Sequence, residues 1–134
     1  MDTELKENTE LGKLMKEFDL DTKLSVANIR EKALTISSIR AKWLGYYTKE
    51  KENYKRINKL KAGLLAQKVQ ASSKSALRLK AESIASEDET IVKLNKLGEY
   101  SKEIIDYLER AMVILADFGF SIKNAIEILK LEQI

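Results

Sequence analysis

The sequence predicts an all-α fold class: a small helical domain built from long amphipathic helices. Three observations carry this. The 134 residues include no proline and only five glycines, which leaves little punctuation for short strands and tight turns. Ala, Leu, Lys, Glu and Ile dominate, and most of these suit helices. Apolar residues recur at spacings of three and four along most of the chain. The length suits one domain with a real core better than two. The expected organisation is a single helical domain over residues 1–134. It comprises an acidic N-terminal tail or short helix over 1–19, a basic helical region over 20–84, and an acidic helical region over 86–134 that closes in a short C-terminal assembly helix.

In the first segment, Leu11, Leu14, Met15 and Phe18 offer a small apolar face, weakened by Gly12. Asp19 or Asp21 suits the N-cap of the next helix, because a short carboxylate accepts the unpaired amide hydrogens of a first turn. Two apolar stripes follow, Val26–Ile29–Ala33–Ile36 and Leu20–Leu24–Ala27–Leu34, so this helix is expected to pack on two sides. Gly45 is a place to bend or to pass straight through. In "SEDET", Ser86 and Glu89 have the spacing of a capping box, and three consecutive acids suit the positive end of a helix dipole. Ile91, Leu94, Leu97, Ile104, Leu108, Ala111 and Leu115 then form a coiled-coil-like stripe over about 87–117, with Ser101 in its one polar position. Gly119 is expected to end that helix in a left-handed conformation, and Ser121 to cap a final short one. Phe118, Phe120, Ile122, Ile126 and Leu129 form its apolar face, which self-association would cover.

Composition excludes several chemistries. With neither cysteine nor histidine there is no disulfide framework, no thiol chemistry, no usual zinc site and no His-based triad. No P-loop or nucleophile elbow is present. Carboxylate pairs such as Glu103–Asp106 and Asp106–Glu109 read as a solvated face rather than a catalytic dyad. The expectation is therefore no enzyme, no cofactor and no metal. No stretch approaches a membrane span, and "MDTELKENTELGKL" is the opposite of a signal peptide's start.

The net charge of +3 hides a segregation. Residues 1–29 carry four lysines against seven acids, residues 30–80 fourteen Lys/Arg against three acids, and residues 81–134 six against eleven. A basic middle between acidic ends points to an anionic partner, or to acidic and basic segments pairing within or between chains. The densest stretch is "KWLGYYTKEKENYKRINKLKAGLLAQKVQ", Lys42 to Gln70, with eight Lys/Arg, four aromatics and two acids. Wound as a helix, it separates into two faces. Trp43, Tyr46, Tyr47, Tyr54, Ile57, Leu60, Leu64, Leu65 and Ala71 fall within an arc of roughly 140°. Lys49, Lys51, Lys55, Arg56 and Lys59 lie opposite. Trp43, Tyr47 and Tyr54 therefore read as packing residues, and Tyr46, near the edge of the arc, is the best candidate to stack on a base. Lys51, Lys55 and Lys59 are neighbours one turn apart, with few carboxylates to neutralise them. A phosphate backbone does so well, because binding releases condensed counterions. Lys61 and Lys68 intrude on the apolar arc, where a lysine snorkels from an interface or lines a solvent-filled cleft. The expected strand contacts are Lys49, Lys51, Lys55, Arg56, Lys59, Lys61 and Lys68, with Arg40, Lys42 and Tyr46 next.

"KWLGYYTKEKENYKRI", the basic helix after it, the acidic helix and "FGFSIKNAIE" together resemble the UvsY family, recombination mediators of large tailed bacteriophages. The resemblance spans roughly residues 20–132. Its most specific pieces are Lys42-Trp43-Leu44 and Gly119-Phe120-x-Ile122-Lys123. It implies an all-helical, non-enzymatic protein that forms ring-like homo-oligomers in the cytoplasm of the infected bacterial host. Its implied partners are single-stranded DNA, a RecA-like recombinase (UvsX) and the phage single-strand-binding protein, with no membrane. Some relatives carry a Leu-Lys-Ala-Arg-Leu stretch tied to DNA binding. The matching positions are Leu65, Ala66, Gln67, Lys68 and Val69, so Lys68 stands for the arginine and Ala66 replaces the lysine. Without the resemblance, a self-associating helical adaptor or assembly chaperone that binds no DNA accounts for the sequence equally well.

Overall fold

The computed structural model describes residues 9–70 and 89–133, and these form three helices. They are α1 (Glu10–Asp21), α2 (Ile29–Gln70) and α3 (Glu89–Glu132). Among the described residues there is no strand. The chain divides into two compact units, Met1–Tyr47 with Tyr107–Ile134, and Thr48–Asp106.

Within the first segment, the described residues from Glu10 onward are helical. Thr9 caps α1 by accepting the Gly12 amide on Oγ1 at 3.1 Å, so Gly12 serves the first turn that it was expected to weaken. Asp19 and Asp21 do not cap the following helix, because both lie in the last turn of α1. The chain leaves helix after Asp21, and Ser25 and Asn28 organise the start of α2 reciprocally. The Ser25 amide donates to Asn28 Oδ1 at 2.8 Å, and the Asn28 amide to Ser25 Oγ at 3.3 Å. This is the geometry of a capping box with asparagine in the usual Glu/Gln place. The expected helix over 20–84 is therefore interrupted before Ile29, and its stretch after Gln70 lies outside the described residues, as does Ser86.

Unit one is built from α1, the first half of α2 and the second half of α3. Its core is Phe18, Ile29, Ile39, Trp43, Leu108, Ala111, Leu115 and Ile122, all buried. Phe18 meets Trp43 edge-on at 5.2 Å between ring centres and Tyr107 at 6.2 Å. Trp43 in turn meets Tyr46 at 5.3 Å. The two stripes foreseen around residues 20–36 fare differently. Ile29 is buried and Ala33 and Ile36 half-buried, whereas Leu20, Val26 and Leu34 face outward.

Unit two pairs the second half of α2 with the first half of α3 in antiparallel fashion. Ile57, Ile91, Ile104 and Ile105 are buried there. At Gly98 a Cβ would sit 3.7 Å from Ile57 Cγ2, an ordinary van der Waals contact, so the seam does not require glycine there. Leu60, placed in the apolar arc by the sequence, is 55% exposed. The other difference lies at Gly119. It does not take a left-handed conformation, α3 runs through it unbroken to Glu132, and Ser121 caps nothing. Its hydroxyl instead donates to the Asp117 carbonyl at 3.2 Å, one turn back in the same helix. The separate C-terminal helix is thus the last turns of α3. One glycine costs a helix only about 1 kcal/mol, and the apolar positions on either side of Gly119 keep one helical phase.

Candidate nucleic-acid interface

Unit two carries the basic row. Packing sets its direction: α2 turns Glu50 and Ile57 inward, so positions on the far side of the helix point to solvent. Lys49, Lys51, Lys55, Arg56 and Lys59 are all exposed. Among the described residues Lys49, Lys55 and Lys59 make no ion pair. Arg56 donates from Nη2 to Asn53 Oδ1 at 2.7 Å, which fixes its direction and leaves the guanidinium charge unneutralised. Lys61 and Lys68 are half-buried, on the packed side of the helix where their phase put them. In the stretch Leu65–Val69, Ala66 and Gln67 are exposed and Leu65, Lys68 and Val69 half-buried.

Behind the row lies a feature that the sequence reading missed. Glu50 is a buried carboxylate, 8% exposed, that accepts Ser101 Oγ at 2.7 Å and Asn53 Nδ2 at 3.1 Å. Asn53 then reaches Arg56, so a polar chain runs from the seam to the basic face. The signal was available in the spacing. Glu50 stands seven residues from both Trp43 and Ile57, in the buried register of the helix, and Ser101 is the one polar position of the facing stripe.

In unit one the expected contacts are placed otherwise. Arg40 is exposed. Lys42 Nζ lies 2.6 Å from Asp21 Oδ2 and 3.2 Å from Glu17 Oε2. Burial alone would lower its pKa, but the Asp21 hydrogen bond and the adjacent Asp21 and Glu17 carboxylates outweigh that and hold it above its ordinary value. Trp43 Nε1 donates to the same Asp21 Oδ2 at 2.8 Å. Tyr46, expected to stack on bases, is half-buried against Trp43, and its hydroxyl donates to Glu17 Oε1 at 3.3 Å. Burial, reinforced by Glu17, raises its pKa. Tyr47 donates to Glu109 Oε1 at 2.9 Å.

The residues expected to mediate assembly are split. Phe120 is 69% exposed, but Ile122 is only 2% exposed and belongs to the core of its own unit. Phe118 is half-buried. Ile126 and Leu129 line a groove with Val26, Ile29 and Arg30. Exposed Val113, Ile114, Ile128 and Leu131 add apolar surface that the sequence reading did not single out. Among the described residues no group of three His, Cys, Asp or Glu side chains could hold a metal ion, and no helix is long and apolar enough to cross a membrane.

Comparisons with known proteins bear on this geometry. The fold is similar to crystal structures of the recombination mediator protein UvsY of bacteriophage T4. In one lattice the TM-score is 0.78 at 20% identity, covering 92% of this chain and 99% of that one. Two other lattices give 0.75 at 17% identity, covering 94% and 99%, and 0.72 at 20% identity, covering 90% and 98%. No curated protein sequence matches the chain. At these identities the structural likeness speaks for the fold alone. The family model described as "Recombination, repair and ssDNA binding protein UvsY" matches residues 17–133, nearly the whole chain, and the protein therefore belongs to the UvsY family.

Proposed function

We propose that this protein is a recombination mediator. It binds single-stranded DNA through the lysine-rich face of α2 and promotes loading of a RecA-like recombinase of the UvsX kind against the phage single-strand-binding protein. The observation that carries the reading is the exposed row of Lys51, Lys55 and Lys59, flanked by Lys49 and Arg56, in a member of a single-strand-binding family. Lys55 and Lys59, one helical turn apart, repel one another until an anion lies along them, and a nucleic-acid backbone supplies one negative charge per nucleotide. Phosphate contacts carry no sequence information, so binding is indifferent to sequence and weakens as salt rises.

The aromatic residues contribute little to this surface, because Trp43 faces inward and Tyr46, Tyr47 and Tyr54 are half-buried. Several subunits in a homo-oligomer, ring-like as in the family expectation, would multiply weak contacts through effective concentration. Such an assembly holds a strand extended for a recombinase to nucleate on, in the cytoplasm of the infected host. The direct test follows recombinase filament formation on an oligo-dT strand precoated with single-strand-binding protein. The protein should shorten the lag. An unchanged lag, with normal recombinase activity on the bare strand, would overturn the mediator reading, and the absence of any strand binding would leave the adaptor.

A further inference from the structure

Unit one holds a second cation–aromatic cluster, distinct from the row on unit two. Lys42, Trp43 and Tyr46 stand within one turn of α2 and are the residue types that grip a nucleotide: an amine for the phosphate and two rings for the base. All three are occupied by one element. Asp21 takes the Lys42 amine and the Trp43 indole N–H on a single oxygen, at 2.6 and 2.8 Å. Glu17 takes the Tyr46 hydroxyl at 3.3 Å. Phe18, on the turn between those two carboxylates, covers the Trp43 ring edge-on.

Beyond these contacts, the covering element is held by Phe18 against Tyr107 at 6.2 Å and by Lys32 Nζ, which donates to the Leu20 carbonyl at 3.3 Å. Phe18 is the only buried residue of the twelve-residue α1. Glu17 Oε2 is shut off from solvent and has no hydrogen-bond partner; it meets the Lys42 charge at 3.2 Å without aligned geometry. A helix of this length is marginal in water without tertiary support. A seven-residue connection, Thr22 to Asn28, joins it to α2, so its release needs no change in α2 itself.

We propose that α1 is an acidic strap over a nucleotide-binding site made by Lys42, Trp43 and Tyr46. Its carboxylates stand in for phosphate in the free protein, and single-stranded DNA displaces it. This rests on the strand-binding reading above. The two states compete for one amine, so whatever loosens α1 raises apparent affinity in proportion to the open fraction.

The full chain tests this with a dye-labelled oligo-dT. Strand binding is read by anisotropy, opening by Trp43 emission (the single tryptophan of the chain) and by hydrogen exchange of the amides of residues 10–21. Saturation should alter Trp43 emission and speed exchange across α1 by about tenfold or more. Exchange that is unchanged or slower while anisotropy rises overturns the strap and leaves strand binding intact; no rise in anisotropy overturns both. The charge-neutral variant Phe18→Ala supplies an independent arm. If its circular dichroism stays helical, it should bind about three- to tenfold more tightly, as the open fraction grows. A helical Phe18→Ala protein that binds no tighter overturns the proposal even if exchange in the parent protein accelerates.

Discussion

Asp21 is the residue on which unit one turns. Its Oδ2 serves both Lys42 and Trp43, and with Glu17 it holds the Lys42 amine above its ordinary pKa. Tyr46 is raised by burial and by Glu17, and Tyr107 by burial and by the Asp19 charge. A group whose pKa is higher in the folded protein contributes stability that is complete below its ordinary range and is lost as pH climbs through the raised value. All three therefore act in one direction: unit one should weaken from about pH 10 upward and be indifferent to these groups near neutrality. Thermal unfolding followed by Trp43 emission between pH 8 and 11 checks this. The alkaline fall should shrink in the Glu17→Gln/Asp21→Asn double variant, and an identical fall in both proteins would refute the assignment. The sequence showed Trp43 as a packing residue, because the helical phase of an aromatic among aliphatics is readable. It did not show that Asp21 reaches Lys42, because that contact depends on a turn between α1 and α2 that no periodicity encodes. Glu50 is the intermediate case. Its register was legible, but a carboxylate at a buried position is ordinarily read as a solvated one.

At the scale of elements, helical content was legible and its punctuation was not. Composition and spacing predict long helices correctly. The errors fall where a residue has two uses. Asp at positions 19 and 21 is as good at ending an acidic helix as at capping the next one, and glycine both stops helices and passes through them. Gly119 separates these uses cleanly. It lies inside α3, its φ is not positive, and a Cβ there would meet nothing within 4 Å. Gly119→Ala should therefore stabilise the protein by about 0.5–1 kcal/mol, since alanine loses less backbone freedom on folding. Urea unfolding measures it. Destabilisation would mean that the helix breaks there after all.

At the scale of the molecule, the segregation of charge in the sequence becomes a lysine-rich helix face in unit two and an acid-bound lysine in unit one. The seven cations expected along Lys49–Lys68 thus divide into exposed and half-buried sets, and Arg40, Lys42 and Tyr46 further upstream have separate environments. Self-association, proposed above, is also tested at this scale. Because Ile122 is internal, deleting residues 118–134 would remove core as well as any interface there. The cleaner change is Phe120→Ser with Ile128→Ser, both on exposed positions. If α3 mediates self-association, this pair should lower the mass seen in sedimentation while leaving the circular dichroism unchanged. An unchanged mass would move the interface to the outward Leu20, Val26 and Leu34.

The central claim is that phosphate electrostatics on the outer face of α2 hold the strand. The measurement that tests it most directly is oligo-dT affinity as a function of salt, for the parent protein and for Lys55→Ala/Arg56→Ala/Lys59→Ala. Each phosphate contact on a single strand contributes about 0.7 to the slope of log affinity against log salt. The triple variant should bind more weakly and show a slope shallower by about 2 per subunit engaged. A folded triple variant that keeps the parent affinity and the parent slope would contradict the account.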